Sequence, residues 1–69
     1  MHTQLYESDP FTARRQGLLA TFESDYRFEK GDEIYIDRAR QPLKVRIIDI
    51  RVHLTDGGRL TREMLALKL

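Results

Sequence analysis

Sixty-nine residues without a cysteine make at most one domain, marginal on burial alone, and exclude disulfides and thiolate metal sites. The net charge of +1 hides an asymmetry: residues 1–37 carry −4, from four basic and eight acidic side chains, and residues 38–69 carry +5, from eight and three. No apolar run approaches the roughly 18 residues of a membrane span, and the start at Met1-His2-Thr3-Gln4-Leu5-Tyr6 lacks the basic flank and apolar core of a signal peptide. A soluble, cytoplasmic protein without membrane contact is therefore expected.

Residues 1–16 are the least patterned stretch and are expected as a less ordered arm, ahead of a single small β domain over 17–69. Ser8-Asp9-Pro10 is able to cap and open one short helical turn near 9–14. A longer helix with Phe11, Leu18, Leu19 and Phe22 on one stripe is weakened by about 1 kcal/mol at Gly17. Leu18, Ala20 and Phe22 alternate with Thr21 and Glu23, which predicts a strand from about 17 to 24. Ser24-Asp25 reads as a turn, Tyr26 and Phe28 keep the even parity, and Lys30-Gly31-Asp32 is a second turn signal. Glu33-Ile34-Tyr35-Ile36-Asp37 is an alternating strand, followed by a loop from Arg38 to Pro42, whose proline cannot donate to a ladder.

The last third reads as a long hairpin. Asp56-Gly57-Gly58 predicts a three-residue loop with Gly58 in the left-handed region and Thr55 opposite Arg59. That register pairs Leu54 with Leu60, His53 with Thr61, Arg51 with Glu63, Ile50 with Met64 and Ile48 with Ala66. Continued, it pairs Ile47 with Leu67, Arg46 with Lys68 and Val45 with Leu69. The apolar residues change parity midway, from Val45 and Ile47 to Ile48, Ile50, Val52 and Leu54, and from Leu60 and Met64 to Leu65, Leu67 and Leu69. Because a strand's side chains alternate between faces, the change moves the apolar set across the sheet. A straight strand from Leu43 to Thr55 would run about 43 Å, too long for a compact domain this small. A sharp bend, a bulge that resets the parity, or a second apolar face used as an interface would each account for it. One alternative is a helix from Thr61, since the last ten residues are good helix formers.

Phe28-Glu29-Lys30-Gly31-Asp32-Glu33-Ile34 resembles the lead-in to a strand in small SH3-like β-barrels, of the form aromatic-x-x-Gly-Asp-x-aliphatic. The resemblance covers seven residues and implies a barrel strand after the turn. Together with the pattern it leads to an all-β fold: a small, strongly curved antiparallel barrel or two-layer sheet, SH3-like in style, of four to five strands.

No phosphate-binding loop, metal-ligand spacing or nucleophile–base pair is present, so no enzyme activity, cofactor or metal is expected. His53 reads as an exposed strand residue, and Asp49, at the parity change, as a carboxylate in need of a donor that Arg51 can supply. The leading expectation is a binding module for another protein or a second copy of itself, through a seam of Val45, Ile47, Leu65, Leu67 and Leu69 at the open end of the hairpin. The alternative is a nucleic-acid binder. Nine of the twelve basic residues are arginine, and Arg38, Arg40, Lys44, Arg46 and Lys68 would cluster there, with Tyr35 to stack on a base. The charge asymmetry serves either reading, or is neutralised across paired strands.

Overall fold

The computed structural model describes residues 1–69 and consists of strands: β1 (His2–Ser8), β2 (Arg15–Glu23), β3 (Glu33–Ile36), β4 (Leu43–Leu54) and β5 (Leu60–Lys68). They form one sheet in the order β2-β1-β5-β4-β3, curled into a half-barrel. The all-β, barrel-like expectation holds, and residues 60–68 are strand rather than helix. No helix is long and apolar enough to cross a membrane.

The N-terminal segment departs from expectation. In place of an arm, β1 lies inside the sheet, antiparallel to β2 and parallel to β5. Its core positions, Thr3 and Leu5, are only two, too few for periodicity to single out, and its parallel partner lies some sixty residues away in the chain. The turn at 9–14 does form. The Asp9 carboxylate accepts the N–H groups of Phe11 (2.8 Å) and Thr12 (3.1 Å), the Ala13 N–H donates to the Asp9 carbonyl (3.0 Å), and Ala13 takes φ 55°. These bonds hold the Asp9 carboxyl below its ordinary value, the Phe11 N–H contributing most.

The β4–β5 hairpin closes as expected. Thr55 N–H donates to Arg59 carbonyl at 2.9 Å, and Gly58 sits at φ 81°. The expected register is correct from Leu54↔Leu60 to Asp49↔Leu65, and then shifts by one. Ile48 is an extra residue between Ile47 and Asp49, so Ile47 faces Ala66, Arg46 faces Leu67 and Val45 faces Lys68. The bulge thereby returns Val45 and Ile47 to the same face as Ile50. β5 has no such irregularity. Its even residues Arg62, Met64 and Ala66 face the core, and Leu65 and Leu67 face the other side.

The core fills the concave face. Leu5, Val45, Ile47, Met64 and Ala66 form its buried centre, flanked by Leu19, Ala20, Phe22, Phe28, Ile34, Ile36, Leu43 and Ile50. The phrase Phe28–Ile34 does lead into β3: Gly31 takes φ 95°, and its N–H reaches the Ile47 carbonyl at 2.8 Å. On the convex face Leu65 is fully buried. Tyr6 and Asp49 face it from the two neighbouring strands. An alternating chain of charges crosses the same face: Arg15 to Glu63 (3.0 Å), Glu63 to Arg51 (3.6 Å), Arg51 to Asp49 (3.0 Å) and Asp49 to Lys30 (3.7 Å). Asp49 thus finds the expected donor in Arg51.

At the end of the concave face nearest the hairpin tip lies Arg62, 8% exposed and without a carboxylate partner. Its Nε and Nη2 donate to the Thr3 hydroxyl (3.1 and 2.9 Å), Nη1 to the Tyr26 carbonyl (2.7 Å) and Nη2 to the Ser24 carbonyl (3.3 Å). The Phe28 ring lies over the guanidinium at 4.9 Å, and itself packs edge-on against Tyr26 and Phe22. Arg62 therefore ties the β2–β3 connection to the central strands through a fork of donors that lysine does not have. Arg62→Leu removes the donors that the Thr3 hydroxyl and two loop carbonyls accept, leaving Thr3 only its bond to the Met1 carbonyl. It is expected to lower the unfolding free energy by about 2–4 kcal/mol in urea melts and to speed amide exchange over residues 24–28. A loss under about 0.5 kcal/mol, typical of a surface change, would refute the role given to this side chain.

Candidate interaction surface

His53 is exposed opposite Thr61, and His2 Nδ1 lies 2.8 Å from Glu23 Oε1. Asp32 Oδ2 accepts the Glu29 N–H at 2.8 Å as part of the turn before β3. No three His, Cys, Asp or Glu side chains converge in a way that could hold a metal ion.

The five residues expected to form an apolar seam do not share a face. Val45 and Ile47 are buried in the core, Leu65 is buried on the opposite side of the sheet, and Leu67 is half-buried beside it. Only Leu69 is exposed. The bulge at Ile48 is the reason: an unbroken ladder would have placed Val45 and Ile47 opposite Leu69 and Leu67, and the extra residue turns them inward.

The same residue disperses the basic cluster. Arg46 and Lys68, expected opposite one another, point to different faces, opposite Leu67 and Val45 respectively. Lys68 reaches Glu7 (3.5 Å), while Arg46 (2.9 Å) and Lys44 (3.3 Å) both bind Glu33 on the neighbouring strand. Arg38 donates to the Leu19 carbonyl of β2 (3.0 Å), spanning the gap between the two sheet edges. Arg40 alone of the five makes no ion pair or side-chain hydrogen bond. Tyr35 is exposed but already carries the Lys44 ammonium 5.3 Å from its ring centre. It lines an open groove of about 490 Å³ with Tyr26, Phe28, Ile34, Asp32 and Glu33.

Electrostatics around Glu33 follow from this packing. Arg46 first, then Lys44, hold the Glu33 carboxyl below its ordinary value. The Tyr35 hydroxyl first, then Glu33, hold the Lys44 ammonium above its own. Two cations share one carboxylate, so both are engaged within the fold while the three groups together keep a net charge of +1.

The exposed apolar surface lies at the other end of the hairpin, at its tip. Val52 is 56% exposed, Leu54 70% and Leu60 46%. Leu54 and Leu60 face one another, and Val52 lies beside Arg62, on the side of the sheet that carries Ile50 and Met64. The concave apolar strip thus runs past the core into solvent. The edge of β4 is bare over the same stretch. β3 covers β4 only from Leu43 to Arg46, and the 31–32 turn takes the groups of Ile47. Thr55 bonds to Arg59, so by the alternation of an antiparallel ladder Arg51 and His53 point their main-chain groups at β5, and Ile50, Val52 and Leu54 point theirs outward. Asp49 Oδ1 accepts the Ile50 N–H at 3.0 Å. The outward groups of Val52 and Leu54 have no partner in the fold.

The sequence carried a hint of this surface. A strand of this length overruns a domain of this size, and the overrun falls at the tip, past the last residues that β3 reaches. No family model, curated protein or solved structure gives a significant match to the chain.

The Glu33 environment gives a pH prediction. With its folded-state pKa depressed, Glu33 contributes stability that is fully present above its unfolded value. That stability fades as pH falls from the unfolded value through the depressed one, because the unfolded chain takes the proton first. Thermal melts across the acid range should show a flatter decline in Glu33→Gln than in the parent chain. Parallel curves would count against the pairing with Arg46 and Lys44.

Proposed function

We propose that this chain is a non-catalytic binding module that associates with protein through the tip of its C-terminal hairpin. The observation that carries the reading is the coincidence, over Val52–Leu60, of an exposed apolar strip and an unpaired strand edge. An added strand would satisfy the outward main-chain groups and cover Val52, Leu54 and Leu60, the mode in which extended segments join a sheet edge. Complete burial of a Val or Leu side chain is worth about 1.5–3 kcal/mol, so even partial coverage of three is a useful driving force. The nucleic-acid alternative loses support from the dispersal of its cations: Arg46 and Lys44 are held by Glu33, Lys68 by Glu7, and Arg38 by the Leu19 carbonyl.

The test is a titration of isotope-labelled protein with a soluble extended peptide of alternating valine and threonine. Chemical-shift changes and slowed amide exchange centred on Val52, Leu54 and Leu60 are expected. Leu54→Lys, at an exposed site, should keep the melting temperature and lose the response. Shifts that fall away from the tip would overturn the proposal. So would inert behaviour toward the peptide combined with salt-sensitive binding of a random oligonucleotide at Arg38, Arg40 and Lys44.

A further inference from the structure

Resting on that reading, we infer that the strand completing the β4 edge is β4 of a second copy, joined antiparallel about a two-fold axis through Val52. Both size and shape call for more burial than one chain supplies. The accessible surface is 5132 Å², whereas a compact monomer of 8.2 kDa is expected to expose about 4,500 Å². The radius of gyration is 12.3 Å, against about 11 Å for a compact domain of this length. The excess of roughly 600 Å² is close to the ~800 Å² that each partner commonly contributes to a specific interface. An isologous contact also consumes both bare edges at once, so it closes as a dimer and does not propagate.

The chain's own residues select one register. A two-fold through Val52 sets Val52 on Val52 of the second copy and Ile50 on Leu54, all apolar and all on the concave side. Four main-chain hydrogen bonds then form, from the N–H groups of Val52 and Leu54 in each copy to the carbonyls of Val52 and Ile50 in the other. The Ile50 N–H, which would otherwise compete, is already held by Asp49. On the convex side Arg51 meets His53 and Asp49 meets Thr55, so no two guanidiniums and no two carboxylates are opposed. Asp56 of the second copy arrives at the level of Ile48, beside the turn that carries Lys30.

The neighbouring two-fold registers fail on local grounds. An axis through Arg51 opposes two guanidiniums. It also drives Thr55 of the second copy into the place beside Ile47 that Gly31 and Asp32 occupy. An axis through His53 sets Ile50 against Asp56, placing a carboxylate on the apolar side without a donor. The 29–32 turn thus acts as a stop that limits how far the second hairpin can slide.

The absence of any cysteine in the chain makes the register directly readable. Three single variants, Arg51→Cys, Val52→Cys and His53→Cys, each place one thiol on one candidate axis, within disulfide reach only in its own register. Sedimentation of the parent chain across a wide concentration range should show a monomer–dimer equilibrium that Leu54→Lys abolishes. Under mild oxidation Val52→Cys should form a covalent dimer at least roughly tenfold faster than either neighbour, with an unchanged circular dichroism spectrum. Dimerisation with fastest cross-linking at position 51 or 53, or at none of the three, would overturn the register. A parent chain that stays monomeric throughout would overturn the second copy as occupant, while the peptide titration would still decide separately whether the tip accepts a strand.

Discussion

A strand alternates its side chains between faces, so Val45 and Ile47 can share a face with Ile50 only if the alternation is broken between them. Ile48 breaks it. One extra residue in β4 keeps three apolar side chains on the concave face and sends Arg46 to the convex face, beside Glu33. It also falls where the 31–32 turn takes over from β3 along the β4 edge. Bulges bend the strand that carries them and increase its twist. Core composition and dispersal of the cations both depend on the same insertion.

Arg62 performs the complementary task at the other end of the core. A half-barrel of five strands leaves its concave face open unless something crosses it. Here the 24–28 segment crosses, bringing Phe28 to the core and Tyr26 to its rim. A loop of this kind would otherwise bring carbonyl groups close to an apolar surface, which is costly without donors. The guanidinium supplies the donors for two of them while its flat face packs under Phe28. Using carbonyls and a hydroxyl in place of a carboxylate avoids desolvating a second charge.

How much of this was legible in the sequence differs from element to element, for physical reasons. The hairpin turn was fully legible, because Asp56-Gly57-Gly58 fixes its own geometry and the register follows from it for the first six pairs. The shift at Ile48 was not, because a bulge and a change of face produce the same parity signal; only the fold decides between them. β1 was missed because its pairing is non-local: its short alternation means little until β5 lies alongside it in parallel. The site suffered from the same ambiguity. Val45, Ile47 and Leu65 are apolar wherever they lie, and whether they form a core or a seam turns on that one residue. Val52 and Leu54 were visible as strand residues, but their exposure follows from where β3 stops, and a four-residue strand ending at Ile36 leaves no mark near position 52.

Sheet edges invite unwanted pairing, and natural proteins blunt them. Most of the edges here are blunted. β3 is only four residues long. β2 is broken by two register irregularities against β1, and the Leu19 carbonyl on its edge is occupied by Arg38. The start of the bare stretch of β4 is closed by the Asp49 carboxylate on the Ile50 N–H. The protection ends there. Val52 and Leu54 carry neither a lysine, a proline nor a bulge, and their side chains are apolar where a solvated edge ordinarily bears charge. Within two residues the chain passes from a guarded edge to an open one, at the place where its apolar strip leaves the core. On that juxtaposition the proposed contact site rests: the other edges are guarded, and the one at the hairpin tip is open.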